Sequence, residues 1–110
     1  HPMYAETKKD IAEQKDIQRH LLPIFKKNGN VAMYICGHIH NFQHIRKPSD
    51  SVDYVVNTAG SLSRKVKETD GTQFCSPSTG FSVVSVSKQK LQLHMIDKEG
   101  KEIHCVSKGK

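Results

Sequence analysis

The stretch "YICGHIHNFQHI", residues 34–45, decides how this chain is read. It places His38, His40 and His44 directly after the apolar run "VAMYIC" (31–36) and a glycine. A short, nearly continuous apolar run that follows a helical pattern reads as a strand covered on both faces. The histidines then lie at the carboxyl end of a buried strand, where open α/β sheets place their ligand sites. In an extended segment His38, His40 and His44 share one face, and two neutral imidazoles there can meet one metal or two adjacent metals. A zinc site wants three or four donors, and no carboxylate lies near in sequence, so the motif alone is an incomplete site. The competing reading of a bare H-x-H is a pair of histidines hydrogen-bonded in a surface loop.

Upstream, "TKKD" (7–10) sets a Thr three places before an acid, a helix start of the capping-box kind. Ile17, Leu21, Ile24 and Phe25 follow at i, i+4, i+7 and i+8 as one apolar stripe, and "KKNGN" (26–30) adds late positive charge and a glycine stop. Pro23 removes one backbone hydrogen bond and predicts a kink near Arg19 and Pro23 or an early end to the helix. Downstream, the polar turn "RKPSDSVD" leads to a second strand, "YVVNTAG" (54–60), with a glycine exit. Residues 61–80 are rich in Ser, Thr and Lys without periodicity, a loop of about 20 residues whose length points to function or mobility. "GFSVVSVS", "KLQLHMID" and "EIHCVSK" are then separated by the short turns "KQ" and "KEGK", which predicts an antiparallel meander. The expected fold class is α+β: one N-terminal helix followed by a mostly antiparallel sheet, in a single domain over residues 1–110.

Composition narrows the function classes. The 110 residues are 35% hydrophobic and 25% charged, which suits a soluble globular domain, and no window approaches the ~20 apolar residues of a membrane span. The net charge of +6 favours an anionic partner of some kind. Nucleic acid is disfavoured among these, because no stacking aromatics interleave with the dispersed lysines. Cys36, Cys75 and Cys105 form no C-x-x-C pair, so neither a zinc ribbon nor a redox motif is present. Cys36 reads as a buried small hydrophobe, and the sequence allows a Cys75–Cys105 bridge without deciding it. The opening "HPMYAET" has no initiator methionine and no signal peptide, which suggests a fragment.

"GHIH" with the "NFQ" that follows resembles the last metal-binding motif, G-H-x-H, of the calcineurin-like metallophosphoesterases, and its N-x-Q is most similar to the purple acid phosphatase branch. The opening "HPMYA" resembles the segment after the preceding metal-binding histidine, where the family reads G-H-x-P. "NTAG" (57–60) resembles the glycine-rich strand end that comes next, and the closing meander resembles the family's last strands. The resemblance implies the C-terminal half of an α/β/β/α sandwich whose parent hydrolyses phosphate monoesters. Two metal ions about 3.5–4 Å apart, drawn from Fe, Zn or Mn, would activate a hydroxide for in-line attack on phosphorus. It further implies that His38 binds one metal and His40 the other, with Gly37 easing a sharp turn and with Asn41 and Gln43 supporting the ligands. His1 falls on the variable position of G-H-x-P and is a ligand only if the register shifts. His44 is not a ligand on this reading and takes a strand or surface role, while His20, His94 and His104 are ordinary polar or half-buried histidines.

The family's earlier motifs, D-x-[HG], G-D-x-x-[DY] and G-N-H-[DE], have no counterpart here, so the isolated chain is expected to be inactive and to hold no metal tightly. The general acid is unassigned, since "AETKKDIAEQ" carries no histidine. Lys8, Lys9 and the 61–80 loop are the groups expected to approach an anionic ester. A missing first half would leave apolar surface bare, which predicts self-association or domain swapping. The resemblance suggests an extracytoplasmic location. The alternative is a non-catalytic interaction module with a basic, anion-binding surface.

Overall fold

Helix α1 spans Ile11–Lys27 in the computed structural model, which describes residues 1–109. The capping box does not form: Asp10 precedes the helix with a left-handed backbone (φ 63°) and makes no side-chain cap bond. Its carboxylate is engaged elsewhere, 3.0 Å from the ring of His38. Nor does Pro23 end the helix, which continues for four more residues to Lys27. The bond that Pro23 cannot make is the one to the carbonyl of Arg19, an exposed residue whose oxygen can turn to water. Asn28, rather than the glycine after it, stops α1, with its backbone N–H and its side-chain amide both donating to the Ile24 carbonyl at 2.9 Å. The buried stripe is also shifted: Ile17, Leu21, Leu22 and Phe25 pack on the core, while Ile24 is exposed.

Seven strands follow among the described residues: β1 (Met33–Cys36), β2 (Phe42–Ile45), β3 (Asp53–Val56), β4 (Thr72–Ser76), β5 (Gly80–Val86), β6 (Lys90–Asp97) and β7 (Glu102–Gly109). They make two sheets rather than one. The first has the order β1-β3-β2-β4, with β1 and β3 parallel and the other pairs antiparallel. The second is the expected meander, β5-β6-β7. The class is α+β and mostly antiparallel. The sheets stack through Phe42 and Val55 on one side and Leu93, Met95 and Val106 on the other, all fully buried, each side chain worth about 1.5–3 kcal/mol. A second cluster, Met3, Ile45, Val52 and Tyr54, takes the apolar stripe of α1.

Two expectations about the first sheet are corrected. β1 is an edge strand, not one covered on both faces, and Ile35 is 45% exposed. The 61–80 stretch is not one loop, because β4 lies within it and pairs with β2. Residues 42–45 form a strand of their own, fully buried, between β3 and β4. The link into β4 depends on Gly71, whose φ of 90° suits glycine and whose Cβ, if present, would stand 2.2 Å from the Arg46 carbonyl oxygen.

Exposure on the second sheet is uneven. Val84 and Val86 of the edge strand β5 are 46% and 65% exposed. All three cysteines are free, and no helix among the described residues is long and apolar enough to cross a membrane.

Candidate metal centre

Parallel strands β1 and β3 end side by side at Cys36 and Val56, and the Asn57 N–H donates to the Cys36 carbonyl at 2.7 Å. The chain then turns through His38 (φ 77°) and His40 (φ 68°). Two non-glycine residues in the left-handed region cost about 1–2 kcal/mol each, so the turn is held by its surroundings. The extended geometry inferred from alternation is therefore wrong for this segment. Gly37 has no positive φ, and a Cβ there would meet nothing within 4 Å, so the sharp backbone falls on the histidines themselves. Ile39, between them, is buried and ties the turn to the interior.

His38 does not stand alone. Its Nε2 lies 3.0 Å from Asp10 Oδ2, and its ring packs against that of His1 with centroids 4.1 Å apart. One donor atom each from His1, Asp10 and His38 falls within 4.8 Å of the others, a His-Asp-His group on the surface. Asp10 is the carboxylate that sequence spacing did not offer, 28 residues from its partner. His40 is not a member of this group. Its Nδ1 is buried and has no hydrogen-bond partner among the described residues. A buried polar nitrogen left unpaired costs about 1–3 kcal/mol. These donors fit transition-metal ions: imidazole and carboxylate suit Zn, Fe and Mn, and an orphaned ring nitrogen has a lone pair to give.

His1 reaches the site because residues 1–6 are strapped across it. Tyr34 Oη donates to the His1 carbonyl (2.8 Å), Gln18 to that of Met3 (2.6 Å), and Gln14 accepts from the Ala5 N–H (3.0 Å). Gln43 holds the far end: its Oε1 accepts from the Glu6 N–H at 2.7 Å, and its Nε2 donates to the Glu6 carbonyl at 3.0 Å and to Asn41 Oδ1 at 2.8 Å. Asn41 and Gln43 thus support the strap rather than the imidazole rings. Gln43→Leu should lower stability by about 2–3 kcal/mol, because the Glu6 backbone groups and Asn41 lose their partners. Hydrogen exchange at the Glu6 amide checks it, and protection equal to wild type would contradict the assignment.

Beside the turn lies a cleft of about 510 Å³. Ile39 and Val66 line its apolar part, and Lys8, Arg64, Lys65 and Lys67 surround it. Backbone bonds hold its outer wall: the Arg64 N–H donates to the His40 carbonyl at 2.8 Å, and the Lys67 N–H to Glu6 Oε1 at 3.1 Å. The 61–71 segment is therefore pinned against the histidine turn.

His44 has a different role. It shares the face of Phe42 on β2 and points toward the second sheet, buried rather than at the surface. Its Nε2 lies 2.7 Å from Asp53 Oδ1 and its Nδ1 3.0 Å from His104 Nε2. With the carboxylate accepting from His44 Nε2–H, the neutral His44 accepts at Nδ1 and His104 donates from Nε2–H. Asp53 also receives Arg46 Nε (2.6 Å), and Lys108 Nζ lies 3.1 Å from its other oxygen. Burial pushes the Asp53 carboxyl up, but hydrogen bonds from His44 and Arg46 and the neighbouring Lys108 ammonium outweigh it and hold the group below the usual carboxylate range. Burial lowers His44 against the opposing pull of Asp53, and burial together with His44 and Arg46 lowers His104. The pair is kept neutral.

Set beside known proteins, this architecture has a clear structural counterpart. The chain aligns with GAP50, the anchor in the inner membrane complex of Plasmodium, at a TM-score of 0.75 and 23% identity, covering 86% of this chain and 30% of that one. At that identity the likeness establishes the fold. In sequence it is similar to purple acid phosphatase 3 of Arabidopsis thaliana, 29% identical over 94 residues, which is 81% of this chain and 25% of the plant protein. The chain thus spans about a quarter of the curated relative it matches and contains a distantly similar, phosphatase-like region. No protein-family profile matches it.

Proposed function

We propose that the chain forms the C-terminal part of a dinuclear metal-dependent phosphatase acting on phosphate monoesters, with His38 and His40 contributing to different metal ions. The observation that carries this reading is the His38–Ile39–His40 turn at the ends of β1 and β3, with an unpartnered buried His40 Nδ1 and a separate His1-Asp10-His38 group. The ions, when bound, would polarise the phosphoryl oxygens and supply the nucleophile. The chain's own residues do the rest. His38 and His40 hold the ions from a turn tied to the interior by Ile39, and the strap of residues 1–6 closes one side. Lys8, Arg64, Lys65 and Lys67 draw the dianionic ester into the adjoining cleft. The similarity to a purple acid phosphatase supports the reaction class, and its coverage supports placing the remaining ligands elsewhere in a longer protein.

That longer protein would complete the sheets. The open edge of β1 with Ile35, and the bare Val84 and Val86 on β5, are where its further strands would add, and without them the chain is expected to self-associate. The test is aryl phosphate hydrolysis with iron, zinc or manganese supplied, comparing this chain with one extended upstream. Activity in the extended protein alone supports the proposal. Activity in neither supports the second reading, a binding module that keeps the fold and uses the cationic cleft, a reading favoured by the fold likeness to a protein titled as an anchor.

A further inference from the structure

The outer face of the β5-β6-β7 sheet carries a group of donors that neither the histidine turn nor the cleft uses. His94 of β6 stands directly opposite Cys105 of β7 in the ladder, so both side chains leave the sheet on the same face. Their neighbours Leu93, Met95 and Val106 point the other way, into the core. In an unbroken ladder Ile103 would pair with Ile96 and join His94 and Cys105, while Glu102 would face the opposite side. The register instead shifts between Met95 and Ile96, and Glu102 becomes the partner of Ile96. This one irregularity has two effects: Ile103 packs against the core cluster, and Glu102 turns out beside His94, where its Oε1 contacts the ring Nδ1. A ring nitrogen of His94, a carboxylate oxygen of Glu102 and the Cys105 Sγ all lie within 4.8 Å of one another. Val83 of β5, paired with His94 on its other side, gives the group an apolar shoulder.

We propose that His94, Glu102 and Cys105 form a zinc(II) site, separate from the His38/His40 centre and borne on a different sheet. The donor chemistry selects the ion. A thiolate excludes calcium and magnesium, which take oxygen ligands, whereas one nitrogen, one oxygen and one sulfur suit zinc with its fourth position open to water. Binding displaces the Cys105 thiol proton to solvent and clamps β6 to β7 at the bulge. Ligands on adjacent strands keep their relative positions better than ligands on loops, so the site needs little reorganisation beyond parting the His94–Glu102 contact.

The experiment is titration of the chain with cobalt(II) as a spectroscopic substitute for zinc, reading the thiolate-to-cobalt charge-transfer absorption and its displacement by zinc. The expected result is one equivalent with that absorption. Cys105→Ser abolishes it, and His94→Gln and Glu102→Gln each weaken binding at least tenfold. Cys36→Ser, Cys75→Ser and the His38→Ala/His40→Ala double variant leave it intact, which keeps this result independent of the proposed phosphatase centre. Circular dichroism of each variant reports the fold. Absence of the absorption in the wild-type chain, its survival in Cys105→Ser, or unchanged affinity in both glutamine variants would overturn the proposal.

Discussion

Asp53→Ala is expected to lower the free energy of unfolding by about 3–5 kcal/mol, a large fraction of what a domain of this size possesses. Asp53 is 1% exposed and faces three groups at once: His44 Nε2, Arg46 Nε and Lys108 Nζ. Lys108 also donates to the carbonyls of Ala32 and Ser51, so with the carboxylate it ties β7 to the chain just before β1 and just before β3. Removing it leaves a buried imidazole N–H and two cationic side chains without their shared acceptor. Asp53→Asn, which keeps an oxygen for His44 but drops the charge, should lose less. Urea unfolding measures both, and a loss below 1 kcal/mol for the alanine variant would show that the cluster is dispensable.

The same cluster sets a pH dependence. His44 and His104 have lowered folded-state values, so below about pH 6.5 the unfolded chain binds protons that the folded one refuses, and stability falls as the solution is acidified. Asp53 works in the same direction at lower pH: its depressed value contributes stability that disappears as the carboxylate is protonated. The unfolding midpoint should therefore drop from pH 7.5 toward pH 5, and the drop between about pH 6.5 and 5 should shrink in His104→Gln.

The second large effect is at His40. On the proposed function, a chain extended upstream should lose metal affinity in His40→Leu by more than the 10–100-fold typical of losing a supporting group, with hydrolysis falling in step. In metal-free chain the same substitution should leave stability unchanged or raise it, because it removes a buried nitrogen that has no partner. A merely structural histidine would behave in the opposite way. Metal content by elemental analysis and melting with and without chelator separate the two outcomes.

The meander was legible because each strand alternates and the turns between are short. β4 was not, since "TQFCS" offers a single large apolar residue and its strand character comes from pairing with β2. The helix was legible in its body but not at its start, where the Asp10 side chain serves His38 instead of the first turn. G-H-x-H singled out the turn that carries His38 and His40. It could not announce Asp10, the Gln43–Glu6 clasp or the Asp53–His44–His104 chain, whose partners lie up to 60 residues apart and are brought together only by the fold. The bulge that turns Glu102 outward left no trace in the alternation either.

Ile39 occupies the variable position of G-H-x-H and touches no candidate donor function, yet it is 2% exposed while residues on both sides of it carry the imidazoles. The height of the turn over the core is therefore set by how deeply a hydrocarbon side chain sinks between the two rings. Shortening it to valine would let the turn settle and bring both donors down together, while lengthening it would lift them. On the proposed function, the geometry offered to the metal ions would then change through a residue that never meets one.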